Sequence, residues 1–206
     1  MKVKICGLRT EEAVLAAEDA GADFLGFIFY EKSHRHVLPE EVRGLTKHVQ
    51  RAKKVGVFVD APLDAVNAAA DFCSLDFVQL HGHESAAYAR AVCRPVIKAF
   101  RWGDDFSAEE ANDYPAEIIL LDSFSKDAVG GTGQRFRWRE AAEETARLEK
   151  PLLVAGGIAS GNVREAEEVF RPYGVDVSGS LEIEKRKSVE RIREFMAVVQ
   201  KRRIPE

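Results

Sequence analysis

Cysteine is scarce. The three present, Cys6, Cys73 and Cys93, show no Cys-x-x-Cys spacing, and an odd number without an apolar leader fits a reducing compartment better than a disulfide framework. The cytoplasm is the expected location. No apolar run approaches the roughly 20 residues that a membrane helix needs, and the chain enters strand-like sequence at once, so neither a membrane anchor nor a secretory leader is expected. No block of like charge stands out either: the formal net charge is −4, with both signs spread along the whole length. That argues against a nucleic-acid footprint or an acidic tail. Nothing resembles the Gly-x-Gly-x-x-Gly opening of a dinucleotide fold. Small molecules remain as the expected partners.

What is present is a repeated unit. At 206 residues, 46% of them apolar, the chain can bury a core of its own and is expected to be one domain over residues 1–206. Val3–Cys6 reads as a strand, followed by Thr10 as a helix cap with Glu11 and Glu12 in the first turn. The same alternation recurs. Strand-like runs follow at Asp23–Phe29, Lys54–Val59, Asp76–Leu80, Pro95–Ala99, Glu117–Asp122, Pro151–Ala155 and Val175–Val177. Helical patterns separate them, and the last carries Val189, Ile192, Phe195, Met196 and Val199 on one face. Eight such units without a linker predict parallel strands joined by crossover helices, and specifically a closed (β/α)8 TIM barrel of the α/β class.

In such a barrel, chemistry gathers at the C-terminal ends of the strands. Cys6, Arg35, His81, Asp122 and Asp176 all fall there. Taken singly, each has a plain alternative: Cys6 an inert packing residue, Asp122 a loop cap, Arg35 a solvated cation, His81 a hydrogen-bonded structural histidine. Their convergence on one rim favours function. Gly156-Gly157 after strand seven and Ser178-Gly179-Ser180 after strand eight leave backbone N–H groups unobstructed where these barrels hold a phosphate. A phosphorylated ligand follows, with glycines serving only tight turns as the alternative. The longest loop, Ser123–Gln134 with Gly130-Gly131-Thr132-Gly133, is either a lid or a plain linker. Cys73 and Cys93 read as packing residues, and Lys185-Arg186-Lys187 as a solvated outer face.

Lys4-Ile5-Cys6-Gly7, Gly26-Phe27-Ile28-Phe29 with Ser33-x-Arg35, and Val78-Gln79-Leu80-His81-Gly82 recur in order with Leu121-Asp122, Ala155-Gly156-Gly157-Ile158 and Gly174-Val175-Asp176-Val177-Ser178. On these motifs the chain resembles the phosphoribosylanthranilate isomerase family nearly end to end. The resemblance implies an acid/base Amadori rearrangement in tryptophan biosynthesis that needs no metal or organic cofactor. By resemblance, Asp122 is the general acid that opens the ribose ring and Cys6 the general base that removes the C2′ proton. Arg35 meets the anthranilate carboxylate, Asp176 accepts from a ribose hydroxyl, and His81 is counted with the substrate contacts. Gly156, Gly157, Ser178, Gly179 and Ser180 hold the phosphate.

The two proton-transfer groups face opposite demands. An aspartic acid with a reference pKa of ~3.9 must keep a proton at neutral pH, whereas a cysteine near ~8.5 must lose one. A cation such as Lys4 or Arg35, or local dipoles, would favour the thiolate. Three departures from the family pattern stand out. Ser178-Gly179-Ser180-Leu181-Glu182 replaces Ser-Ser-Gly-Val-Glu, which bears on Ser180. Ser33-His34-Arg35 replaces Ser-Pro-Arg, and the lost proline is expected to loosen the arginine loop. Phe136-Arg137-Trp138 replaces Phe-Asp-Trp. The related isomerase of histidine synthesis would carry an aspartate at position 6, and a non-catalytic phosphate-binding barrel is the reading from another class. Both a monomer and a homodimer fit the sequence.

Overall fold

Runs such as Ile118–Leu121 are too short for stable helices and apolar on both faces, which suits strands covered on both sides. In the computed structural model, which describes residues 1–103, 106–122 and 133–201, they form the staves of a closed barrel. The elements in order are β1 (Lys2–Cys6), α1 (Glu11–Asp19), β2 (Phe24–Ile28), α2 (Pro39–Leu45), β3 (Lys53–Phe58), α3 (Leu63–Phe72), β4 (Phe77–Leu80) and α4 (Ala86–Ala91). They continue with β5 (Val96–Arg101), α5 (Ala108–Asp113), β6 (Ile118–Asp122), α6 (Gly133–Thr145), β7 (Leu152–Ala155), α7 (Val163–Phe170) and β8 (Gly174–Val177). A 3-10 turn, Gly179–Leu181, leads into β9 (Glu182–Ile183), β10 (Arg186–Lys187) and α8 (Val189–Gln200).

Strands β1 to β8 pair in sequence order, all parallel, and β8 returns to β1 with Lys4 opposite Asp176. The expected (β/α)8 architecture is therefore the observed one. Because successive side chains point to opposite faces of a strand, each strand divides its residues between two cores. Val3, Ile5, Leu25, Phe27, Val78, Leu80, Ile119, Leu121, Val154 and Val175 belong to the outer core. Phe24, Val55, Ile97, Ala99, Ile118, Leu120, Leu153 and Ala155 fill the interior of the barrel. On β1 the inward positions are Lys4 and Cys6, and on β6 the interior series Ile118, Leu120 ends at Asp122.

Helix starts follow the expected chemistry. Thr10 Oγ1 accepts from the Ala13 amide at 3.3 Å, and Ser85, Ser107 and Ser188 cap α4, α5 and α8 in the same way. Ile192, Phe195, Met196 and Val199 are buried, so the stripe on α8 packs inward as predicted. One expectation fails and one element is additional. Cys73 is buried but Cys93 is exposed, since it lies just past the end of α4. The antiparallel pair β9–β10 also went unread, because two residues per strand are too few to show alternation. Of the long loop, Ser123–Thr132 lies outside the described residues, while Gly133 and Gln134 already belong to α6.

Leu121 is fully buried in the outer core beside Asp122. Leu121→Ala is expected to lower unfolding stability by about 2–5 kcal/mol through lost contacts and a residual cavity, read as a shift in the denaturation midpoint with an unchanged slope.

Candidate active site

The site is assembled by the inward-facing residues at the strand ends. Cys6, Arg35, Gln79, His81, Arg101, Asp122, Asp176 and the turns Gly156-Gly157 and Ser178-Gly179-Ser180 line one cavity of about 640 Å³ at the barrel mouth. All ten residues singled out from the sequence are therefore brought together.

On one side, β1 contributes a buried charge next to the thiol. The Lys4 side chain is 0% exposed and its Nζ donates to Asp176 Oδ1 at 2.8 Å. Cys6 pairs in register with Gly26, where a β-carbon would lie 2.9 Å from Cys6 Sγ and 3.1 Å from Lys4 Nζ. Thiol and ammonium thus share the space that this glycine leaves open. Burial pushes the Cys6 thiol above its ordinary pKa; Lys4 and, more weakly, Lys187 pull it down, and Asp176 adds to the rise. Burial also works against the Lys4 charge, but Asp176 and Cys6 outweigh it and hold Lys4 above the ordinary lysine value.

Across the mouth, Gln79 on the inward face of β4 and His81, one residue past the strand, stand together. Gln79 Nε2 lies 2.9 Å from His81 Nδ1, and His81 Nε2 is 3.9 Å from Asp122 Oδ2. With the amide donating to Nδ1, the ring proton is on Nε2, facing Asp122. Burial lowers the His81 pKa against the opposing pull of Asp122, so the imidazole is neutral at pH 7 and the contact is not an ion pair. Gln79 Oε1 is buried with no hydrogen-bond partner among the described residues, which leaves an acceptor in the cavity wall.

The arginine loop, which lacks the proline, carries hydrogen bonds of its own. Ser33 Oγ accepts from the Arg35 amide at 3.1 Å, and the guanidinium forks onto Glu182, Nε to Oε1 at 2.5 Å and Nη2 to Oε2 at 2.9 Å. Lys187 Nζ reaches the same Oε1 at 2.6 Å. Burial opposes the Glu182 charge, but the hydrogen bonds from Arg35 and Lys187 prevail and bring its pKa down to about 2. Lys187 therefore corrects the expectation of a solvated basic run: its side chain is only 3% exposed, because β10 turns it back onto Glu182.

The turns after β7 and β8 are braced by side chains. Gly156 and Gly157 have φ of 86° and 79°, a region that disfavours any residue with a β-carbon. Asn162 is the N-cap residue of α7, and its side chain turns back to the loop, accepting from the Ala159 amide at 2.8 Å and donating to the Gly157 carbonyl at 2.9 Å. Ser180 Oγ donates to the Ile158 carbonyl at 2.6 Å and Ser178 Oγ to the Cys6 carbonyl at 2.9 Å.

A family model described as N-(5'-phosphoribosyl)anthranilate (PRA) isomerase matches residues 3–198. The chain belongs to this family. It is 47% identical over 205 residues to the N-(5'-phosphoribosyl)anthranilate isomerase of Geobacter sp. (strain M21), covering 97% of this chain and 98% of that protein. The solved phosphoribosyl anthranilate isomerase of Thermus thermophilus superposes with a TM-score of 0.86 at 34% identity, covering 98% of this chain and 99% of that one. A family structure in complex with reduced 1-(o-carboxyphenylamino)-1-deoxyribulose 5-phosphate superposes with a TM-score of 0.85 at 32% identity, over 98% and 99% of the two chains. No helix among the described residues is long and apolar enough to cross a membrane.

Sequence reasoning missed Gln79 and Arg101, which line the cavity of this isomerase, and Glu182 and Lys187, of which the first holds Arg35 and the second holds Glu182. Stepping back two residues from His81 along β4 finds Gln79, since both share a face. No local signal finds Lys187. Gly26→Ala is expected to cost about 1–3 kcal/mol, measured by thermal or denaturant unfolding, because the new methyl group must displace the thiol or the buried ammonium.

Proposed function

We propose that Cys6 and Asp122 perform the two proton transfers of the family reaction on opposite walls of the cavity. That reaction is the isomerisation of N-(5'-phosphoribosyl)anthranilate to 1-(2-carboxyphenylamino)-1-deoxyribulose 5-phosphate in tryptophan biosynthesis. The observation that carries the residue assignment is that the thiol and the carboxyl line the same cavity as the two glycine-containing turns, so a substrate anchored by phosphate at β7 and β8 extends between them.

In the proposed sequence Asp122 gives a proton to the ribose ring oxygen as the C1′–O bond breaks, and the anilino nitrogen supplies the electron pair that forms the Schiff base. The Cys6 thiolate then takes the C2′ proton and becomes a thiol, and the electrons of that C–H bond neutralise the iminium to give an enolamine. Tautomerisation yields the ketone. One carbon is oxidised as its neighbour is reduced, so no external redox partner is consumed. Transfers of this kind are each worth roughly 10²–10⁴ in rate.

Arg35 is the proposed partner of the anthranilate carboxylate. Two of its donors are used by Glu182, which fixes the guanidinium plane while others remain for a bidentate ligand. Asp176, anchored by Lys4, is the acceptor for a ribose hydroxyl, and neutral His81 is a further substrate contact beside Asp122. For the phosphate, the hydroxyls of Ser178 and Ser180 already donate to carbonyls. This favours backbone N–H groups of Gly156, Gly157, Gly179 and Ser180 as the cradle.

Consumption of N-(5'-phosphoribosyl)anthranilate by purified protein without added metal, followed as loss of anthranilate-type fluorescence, is the direct assay. Cys6→Ala and Asp122→Asn are each expected to lower kcat by at least about 10²-fold with unfolding midpoints close to the parent. Near-normal turnover in either variant removes that residue from its assigned role.

A further inference from the structure

The β9–β10 hairpin is an addition to the eight repeated units, and its backbone is costly. Glu184 and Lys185, at its turn, both adopt positive φ, 48° and 63°, where residues with a β-carbon are disfavoured. What the hairpin accomplishes is the burial of Lys187. Its Nζ donates to Glu182 Oε1 at 2.6 Å and to Ser178 Oγ at 3.4 Å. Ser178 Oγ in turn donates to the carbonyl of Cys6 at 2.9 Å, so the ammonium is tied through one hydroxyl to the residue that carries the thiol.

Two buried cations stand on this side of the site, each held by a carboxylate: Lys4 from β1 by Asp176 from β8 and Lys187 from β10 by Glu182 from β9. Glu182 also takes Arg35 from the loop after β2 and faces His34 Nε2 at 3.4 Å, while His81, Arg101 and Asp122 line the cavity beyond Cys6.

We propose that Lys187 is a positioning residue for the isomerisation, its Glu182-held ammonium supplying the counter-charge for the Cys6 thiolate that accepts the C2′ proton. This rests on the reading of Cys6 as the base. Independent support comes from the mutual electrostatics: Lys187 pulls the Cys6 thiol down against its burial, while burial lowers Lys187 against the pull of Glu182 and Cys6.

The test is alkylation of Cys6 by iodoacetamide in the folded protein, resolved from Cys73 and Cys93 by peptide mass spectrometry, from about pH 6 to about pH 10. Lys187→Met is expected to move the midpoint of Cys6 reactivity upward by about one to two pH units, the effect of one neighbouring charge, and Lys187→Arg to recover most of that shift. Glu182→Gln, which frees both cations from their shared carboxylate, is expected to move it downward. In turnover, Lys187→Met lowers kcat about tenfold or more at neutral pH, with KM changed less than about threefold. An unmoved midpoint in Lys187→Met overturns the proposal, as do shifts of the same sign in Lys187→Met and Glu182→Gln, which a merely structural hairpin would produce. A large rise in KM with kcat and midpoint unchanged overturns it in favour of a direct substrate contact. If Lys187→Met does not fold, Lys187→Gln takes its place with the same upward shift expected, opposite in sign to that of Glu182→Gln. Because alkylation reads the thiol without substrate, the two readings separate. Retained turnover in Cys6→Ala overturns the base assignment alone, and an unmoved midpoint with inactive Cys6→Ala overturns the role of Lys187 alone.

Discussion

The contact on which this molecule most depends is the closure of β8 onto β1. A parallel sheet left open would expose two edges, and closing it pairs every strand. Here the seam is set in register by Lys4 opposite Asp176, whose side chains also form the buried ion pair inside the barrel at 2.8 Å. Breaking such a pair from one side leaves a buried charge uncompensated, at a cost of about 3–5 kcal/mol, so the seam and the floor of the active site stand or fall together. The same closure brings Ser178, one residue past β8, within hydrogen-bonding reach of the Cys6 carbonyl.

From that seam outward, the site is organised as two contrasting walls. Around Cys6 the barrel gathers cations that no water can replace: Lys4 is wholly buried and Lys187 nearly so. Around Asp122 the neighbour is an imidazole kept neutral by burial and oriented by Gln79. A thiol among cations and a carboxyl beside a neutral ring are environments suited to opposite proton-transfer roles, as the general acid and general base of an isomerisation require. Glu182 links this electrostatic arrangement to substrate recognition, since the carboxylate that holds Lys187 also fixes the plane of Arg35.

Much of this was legible in the residues. The eight units, the crossover helices and the placing of Cys6, Asp122 and Asp176 at strand ends follow from short apolar runs, capping residues and the rule that barrel function lies at the C-terminal face. Strand alternation gives Lys4 from Cys6 and Gln79 from His81. Legibility ends where a residue's environment is made by partners distant in the chain. The lost proline before Arg35 reads as a loosened loop, yet Ser33 and Glu182, the latter 147 residues away from Arg35, hold it. Ser180 reads as a phosphate ligand by its place in the motif, but that its hydroxyl donates to the Ile158 carbonyl, 22 residues away, is visible only in the fold.

By itself, then, the order of residues determined the barrel, the family and the identity of the groups that meet at its mouth, because strand and helix periods are local properties and the motifs recur at fixed places in them. Only the tertiary structure decided the electrical state of those groups. Charge in a buried site depends on distances between segments far apart in sequence and on how much water the packing removes. Thus Lys185-Arg186-Lys187 is one basic run in the sequence, while in the fold Lys185 and Arg186 stay exposed and Lys187 turns inward onto Glu182.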